Sequence, residues 1–160
     1  MWVLCCLALF ALLAGCAPEK HSNSALESLP NCADISAQFA VPFSTEKHYE
    51  QMVACVKNKR FAEASFHYAS AGVQTWYEYL LMPGSASKER HHTQLRNQLT
   101  SLTEDEKQQF WSALYATLRD PHSRRQLCSR IATVPVDTAA VILWNKAKVG
   151  YLHCEVNAMF

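Results

Sequence analysis

Cysteine and histidine are the residue types in this chain best suited to chemistry, and each occurs seven times in its 160 residues. A thiol can cross-link, bind a metal or act as a nucleophile, depending on its compartment and neighbours. Cys5 and Cys6 fall inside an apolar N-terminal run, Cys16 closes that run, and Cys32, Cys55, Cys128 and Cys154 are spread over the remainder. No Cys-x-x-Cys pair occurs, so a zinc site built from these thiols is not expected. In an oxidising compartment the last four read as two disulfides, for which three pairings exist. Nearness in sequence favours Cys32 with Cys55 and Cys128 with Cys154. The first bridge would pin the entering chain onto the first helix, the second would clamp the last two helices, and each would contribute about 2–4 kcal/mol.

The histidines give a weaker signal. His91 and His92 are adjacent, so on a helix their rings diverge by about 100° and cannot easily share an ion. Glu63 and His67 stand four apart and could supply two metal ligands from one helix face. Nothing nominates a third, and the expectation is a solvated face. A metal enzyme would need three of His48, His67, His91, His92, His122 and His153 to converge with a carboxylate. Glu104, Asp105 and Glu106 have a structural reason to sit together at a helix start. No nucleophile elbow, Gly-rich phosphate loop or metalloprotease signature is present, and the chain reads as a non-enzyme without cofactor or metal.

Residues 1–15 are apolar throughout. The run is shorter than the ~20 residues of a membrane span and has the character of a secretory signal core. No Lys or Arg precedes Lys20, a departure from the usual basic start of such signals. The run ends in Leu13-Ala14-Gly15-Cys16, which resembles the lipobox of bacterial lipoproteins. The resemblance implies that the Cys16 thiol receives a diacylglycerol, that cleavage precedes Cys16 and that the new amine is acylated. Several acyl chains on one residue give stable anchoring, each buried methylene contributing about 0.8 kcal/mol. Ala17 follows, and the lack of Asp there is similar to the pattern sorted to the outer membrane. The expected location is the bacterial cell envelope, facing the periplasm. Residues 16–31 are mostly small and polar and read as a lipidated tether with a mean reach of about 20 Å.

Residues 32–160 are expected to form a single all-α domain, an antiparallel bundle of about six helices. Apolar content is 49%, charged content 18%, and Gly and Pro are few, which favours helices over turn-rich β architecture. The net charge of +1 implies no polyanion partner, and no nucleic-acid-binding signature appears. Helical spacing and stop signals place helices at about Thr45 to Asn58, Phe61 to Met82, Ala86 to Leu102 and Glu104 to Leu118. A fifth opens at Asp120-Pro121 and is stopped by Pro135; a sixth starts near Thr138, with Gly150 as its end or bend. The segment Ala139 to Leu143 is apolar all round and is expected at the centre of the core. Thr103 and Glu106 have the spacing of a capping box. Phe61-Ala62-Glu63-Ala64 with Tyr68 and Ala71 resembles the junction and second helix of a tetratricopeptide repeat. That implies one αα-hairpin whose small residues permit close approach.

Two surfaces could meet a partner. Arg119, Arg124, Arg125 and Arg130 gather around the fifth helix, with Lys146 and Lys148 beyond; they could face anionic headgroups or an acidic protein. Tyr77 could also belong to a contact surface. The functional expectation is a membrane-anchored protein-binding module, an immunity or inhibitor protein or an accessory assembly lipoprotein. A carrier of an apolar ligand between aromatic-rich helices is the second reading, and a histidine-based metal enzyme the third.

Overall fold

The computed structural model describes residues 32, 44–132 and 141–155. The expected lipobox and tether, and the segment holding Pro135, Asp137 and Thr138, lie outside them. The described residues form six helices: α1 (Thr45–Lys57), α2 (Phe61–Leu81), α3 (Ser87–Leu99), α4 (Glu104–Arg119), α5 (Pro121–Ala132) and α6 (Val141–Leu152).

Local sequence explains most helix ends. The Ser44 hydroxyl accepts from the Lys47 amide at the start of α1. The capping box at α4 is complete, Thr103 accepting from the Glu106 amide while the Glu106 carboxylate accepts from the Thr103 amide at 2.7 Å. Asp120 ends α4 in an extended conformation and its carboxylate accepts from the Ser123 amide at 2.7 Å, which starts α5 with Pro121 as its first residue. At the end of α1, Lys59 takes a left-handed φ of 57°. This lets the Lys59 and Arg60 amides donate to Val56 and Cys55 at 2.8 Å each, a reversal that glycine usually serves.

The hub is α2. At 21 residues it is about 31 Å long, and it packs on α1, α3, α4, α5 and α6. One face meets α1, α3 and α4 in a core of Tyr49, Met52, Val56, Ala64, Ala71, Leu102, Phe110 and Leu114. Phe61 and Tyr68 pack against it, and the fully buried Ala64 and Ala71 let α1 approach closely. Another face carries Phe66, Ala69 and Val73 into a second core with Leu127, Ile131, Trp144, Ala147 and Leu152 from α5 and α6. A disulfide closes each: Cys32–Cys55 joins the first core and Cys128–Cys154 ties α5 to the residues just after α6. This is the pairing that nearness in sequence favours.

Several expectations are corrected. Val141 and Ile142 are exposed, so the start of α6 is not central to the core. An apolar segment reads as interior only if neighbours surround it, and α6 packs chiefly on one helix, α2. Gly150 does not end α6, which runs to Leu152; His153 follows at a φ of 55°. Gly150 is needed for contact, since a Cβ there would stand 2.6 Å from the Trp76 indole nitrogen. Gly72 is still tighter, because its Cβ position is taken by the Tyr151 ring. Tyr115, which helical spacing puts on one face with Phe110, Trp111, Leu114 and Leu118, is exposed.

Candidate functional site

The chemistry-bearing side chains converge inside the hairpin. His48 on α1 and His67 on α2 are both buried, and their Nδ1 atoms stand 3.0 Å apart. A contact between two ring nitrogens needs one protonated and one bare Nδ1, so the two rings must adopt complementary tautomers. Burial lowers the His48 pKa from 6.5 to about 4, and burial together with the neighbouring His48 and Arg130 charges lowers that of His67 to about 3. Phe66 lies edge-on to both rings, and the Arg130 guanidinium sits 4.9 Å over Phe66. Thr45 precedes His48 by one turn and Ser70 follows His67 by one turn. Their hydroxyls are buried with no hydrogen-bond partner among the described residues, so the antiparallel pair of helices carries a polar seam beside its apolar one.

On the other side of α1, Tyr49 is hydrogen-bonded to Nδ1 of His91 from α3. Burial, with the adjacent His92, brings the His91 pKa to about 4, and burial pushes the Tyr49 phenol well above its ordinary value. Tyr151 packs edge-on to His91 and beside Tyr68. Burial holds the His91, Tyr49 and Tyr151 rings neutral at physiological pH. Such a network can position side chains and share a proton internally.

The expectation of a solvated face for Glu63 and His67 is overturned: His67 is buried against His48, and Glu63 pairs with Arg60 at 3.3 Å. The sequence signal was there, since His67 lies on the same helical stripe as Ala64 and Ala71. His91 is buried and His92 exposed, yet their rings do not part: they meet edge to face with centroids 5.3 Å apart. His122 meets Gln126 at 3.0 Å on α5, and His153 is exposed. Among the described residues no three His, Cys, Asp or Glu side chains group closely enough to hold a metal ion.

The arginines do not share one environment. Arg119 and Arg125 are exposed. Arg124 donates to the Leu118 carbonyl near the end of α4 at 3.4 Å, and Arg130 faces Phe66. Tyr77 is half-buried with its ring against Trp144 at 5.7 Å, so it serves the α2–α6 contact and not a free surface.

A cleft of about 150 Å³ opens where the start of α1 meets α2 and α3. Ser44, Thr45, Glu46, Gln74, Thr75, Glu78, Ser87, Arg90 and Gln94 line it, so its walls are polar. Large apolar side chains are instead exposed at the end of α2 (Leu81, Met82) and the start of α6 (Val141, Ile142), as well as at Tyr115 and Val149. No helix among the described residues is long and apolar enough to cross a membrane. No protein-family profile, curated protein or solved structure matches the chain.

Proposed function

We propose that this chain is an envelope lipoprotein, held at the membrane through Cys16, whose helical domain binds another protein. The carrying observation is the disulfide pair. Cys32–Cys55 and Cys128–Cys154 are at bonding distance, and such bridges persist in oxidising compartments. They support the export that the Leu13-Ala14-Gly15-Cys16 sequence implies. The repeat-like hairpin is of a kind that presents binding surfaces, and its two histidines, His48 and His67, are engaged with each other inside it. The polar walls of the cleft do not favour the second reading, a carrier of an apolar ligand, since such pockets are lined mainly by apolar and aromatic side chains.

Intact-mass analysis of the protein from its native membranes tests the reading. The expected species begins at Cys16, carries acyl chains and lacks the mass of four free thiols. Cys16→Ser should move the protein from the membrane to the soluble fraction. An unprocessed leader, or free thiols at all four later positions, would overturn the localisation. A crosslinked membrane pull-down that repeatedly returns no protein would overturn the binding role.

A further inference from the structure

We infer that α3 is an acid-released strap, and that a proton taken up where His91 meets Tyr49 frees this helix from α1 and α2 while both cores stay folded. The inference goes beyond the proposed binding role and holds whichever partner or compartment the chain has.

Helix α3 is held differently from its neighbours. Each of the other five helices places buried apolar side chains in one of the two cores, and α3 places none. Its buried side chains are Ser87 and His91, both polar. Leu95 and Leu99 are only half-buried against the first core. At its start Ala86 supplies no side-chain cap. Met82, Pro83, Gly84 and Ala86 before the helix are exposed, like Thr100 and Ser101 after it. With no fully buried apolar anchor, the docking of α3 depends on the polar contacts of single side chains, which places it at the low end of local stability.

Those contacts rest on aromatic rings. Tyr49, fully buried on α1, is hydrogen-bonded to Nδ1 of His91. The Tyr151 ring of α6 meets the same imidazole edge-on, with centroids 5.9 Å apart. One turn earlier on α3, the Lys88 ammonium sits 4.0 Å over the Trp76 ring and 3.9 Å over the Tyr79 ring of α2. Freeing α3 therefore uncovers Tyr49, Trp76, Tyr79 and Tyr151, an aromatic surface shared by α1, α2 and α6.

A neutral imidazole suits this place, because its Nδ1 can accept from the phenol or donate to it. An imidazolium does not. Among the described residues no acid stands within ion-pair distance of His91. It faces Tyr49 from α1 and Tyr151 from α6, and the Tyr151 phenol is bonded to Tyr68 of α2. Lys148 lies half-buried one turn before Tyr151. On α3 itself His91 stands among Lys88, Arg90 and His92, and Glu89 is exposed. Glu46 of α1 and Glu78 of α2 line the cleft with Arg90. A buried charge without a counter-ion is costly, so burial, with His92 beside it, lowers the His91 pKa from 6.5 to about 4. Released into water, the ring regains its ordinary value. Between those values the open helix binds a proton that the docked one does not. Docking is full above pH 6.5 and weakens as pH falls toward 4. From about pH 7.5 to about pH 5 the open fraction should rise about 30-fold.

Hydrogen exchange of the full chain at about pH 7.5 and about pH 5, corrected for intrinsic amide rates, tests the inference. Peptides from Ser87–Leu99 should exchange ahead of those from α2 and α4 at both values, and acid should cut their protection about 30-fold. His91→Gln, whose amide can still bond Tyr49 but does not titrate, should abolish most of that fall. His48→Gln should leave it in place. If either variant fails to fold, NMR titration of the unaltered chain decides, and its His91 imidazole should titrate at about 4. Four results would each overturn the inference: α3 peptides that exchange no sooner than those of α2, a fall that survives His91→Gln, a fall that His48→Gln removes, or a His91 imidazole that titrates at its ordinary 6.5.

Discussion

The two cores on either side of α2 are built differently. The first gathers α1, α3 and α4 around Tyr49, Met52, Phe110 and Leu114, and most of its members lie on stripes of helical spacing. The second draws Phe66, Ala69 and Val73 from a different face of α2, with Leu127 and Ile131 from α5 and Trp144, Ala147 and Leu152 from α6. A helix buried on one face announces itself by amphipathicity; one buried on two does not, because its apolar residues surround the axis. The first core therefore has local signatures, whereas the second exists only because three distant segments meet. The polar pairs follow the same division: Tyr49–His91 belongs with the first core, while His48–His67 touches Phe66 of the second.

Four measurements would sharpen or break this contrast. Phe110→Ala should have the largest effect, about 3–5 kcal/mol of lost stability in urea unfolding, because a fully buried ring leaves a cavity in the first core. A loss below about 1 kcal/mol would mean that this core is not close-packed. Removing the Cys128–Cys154 bridge with paired serines should cost about 3 kcal/mol, from the 26-residue separation it closes. Native-state hydrogen exchange should then speed up in α5 and α6 before α1, and a uniform loss would show that the two cores unfold as one.

Acid should act next. His48 has a lowered folded pKa of about 4 against 6.5 in the unfolded chain. The unfolded chain binds the extra proton between those values, so stability is full above pH 6.5 and falls as pH drops toward 4. At pH 5 this residue alone should cost about 2 kcal/mol, read as a lower urea midpoint than at pH 7.5. His67 and His91 shift in the same direction. A midpoint independent of pH over that interval would refute the buried pairing. The smallest effect is expected from Gly72→Ala, about 1 kcal/mol, since the added methyl must displace the half-buried Tyr151 ring. A stabilising Gly72→Ala would show that α6 does not lie against α2 at that point.

The legible features share a physical cause: their partners lie within a few residues. Ser44, the Thr103–Glu106 box and Asp120 with Pro121 fix helix starts through contacts three residues away. The Tyr49, Met52, Val53 and Val56 stripe fixes the buried side of α1 for the same reason. The histidine pair was less legible. His48 and His67 are nineteen residues apart, and a polar ring on a helix reads as solvent-facing until a partner across the interface is known. The Ala64–His67–Ala71 stripe was the one local hint. The exposed start of α6 was hidden in the opposite sense, since an apolar run promises burial that only packing can grant or withhold.

The sequence alone dictated the helical class, the helix starts, the capping residues and four cysteines suited to two bridges, because these depend on spacing and on chemistry along the chain. Tertiary structure decided that α2 is buried on two faces, that His48 and His67 face each other, that Gly72 must admit Tyr151, and that Val141 and Ile142 remain outside. Each of these depends on which distant surfaces meet, and backbone periodicity carries no record of that choice.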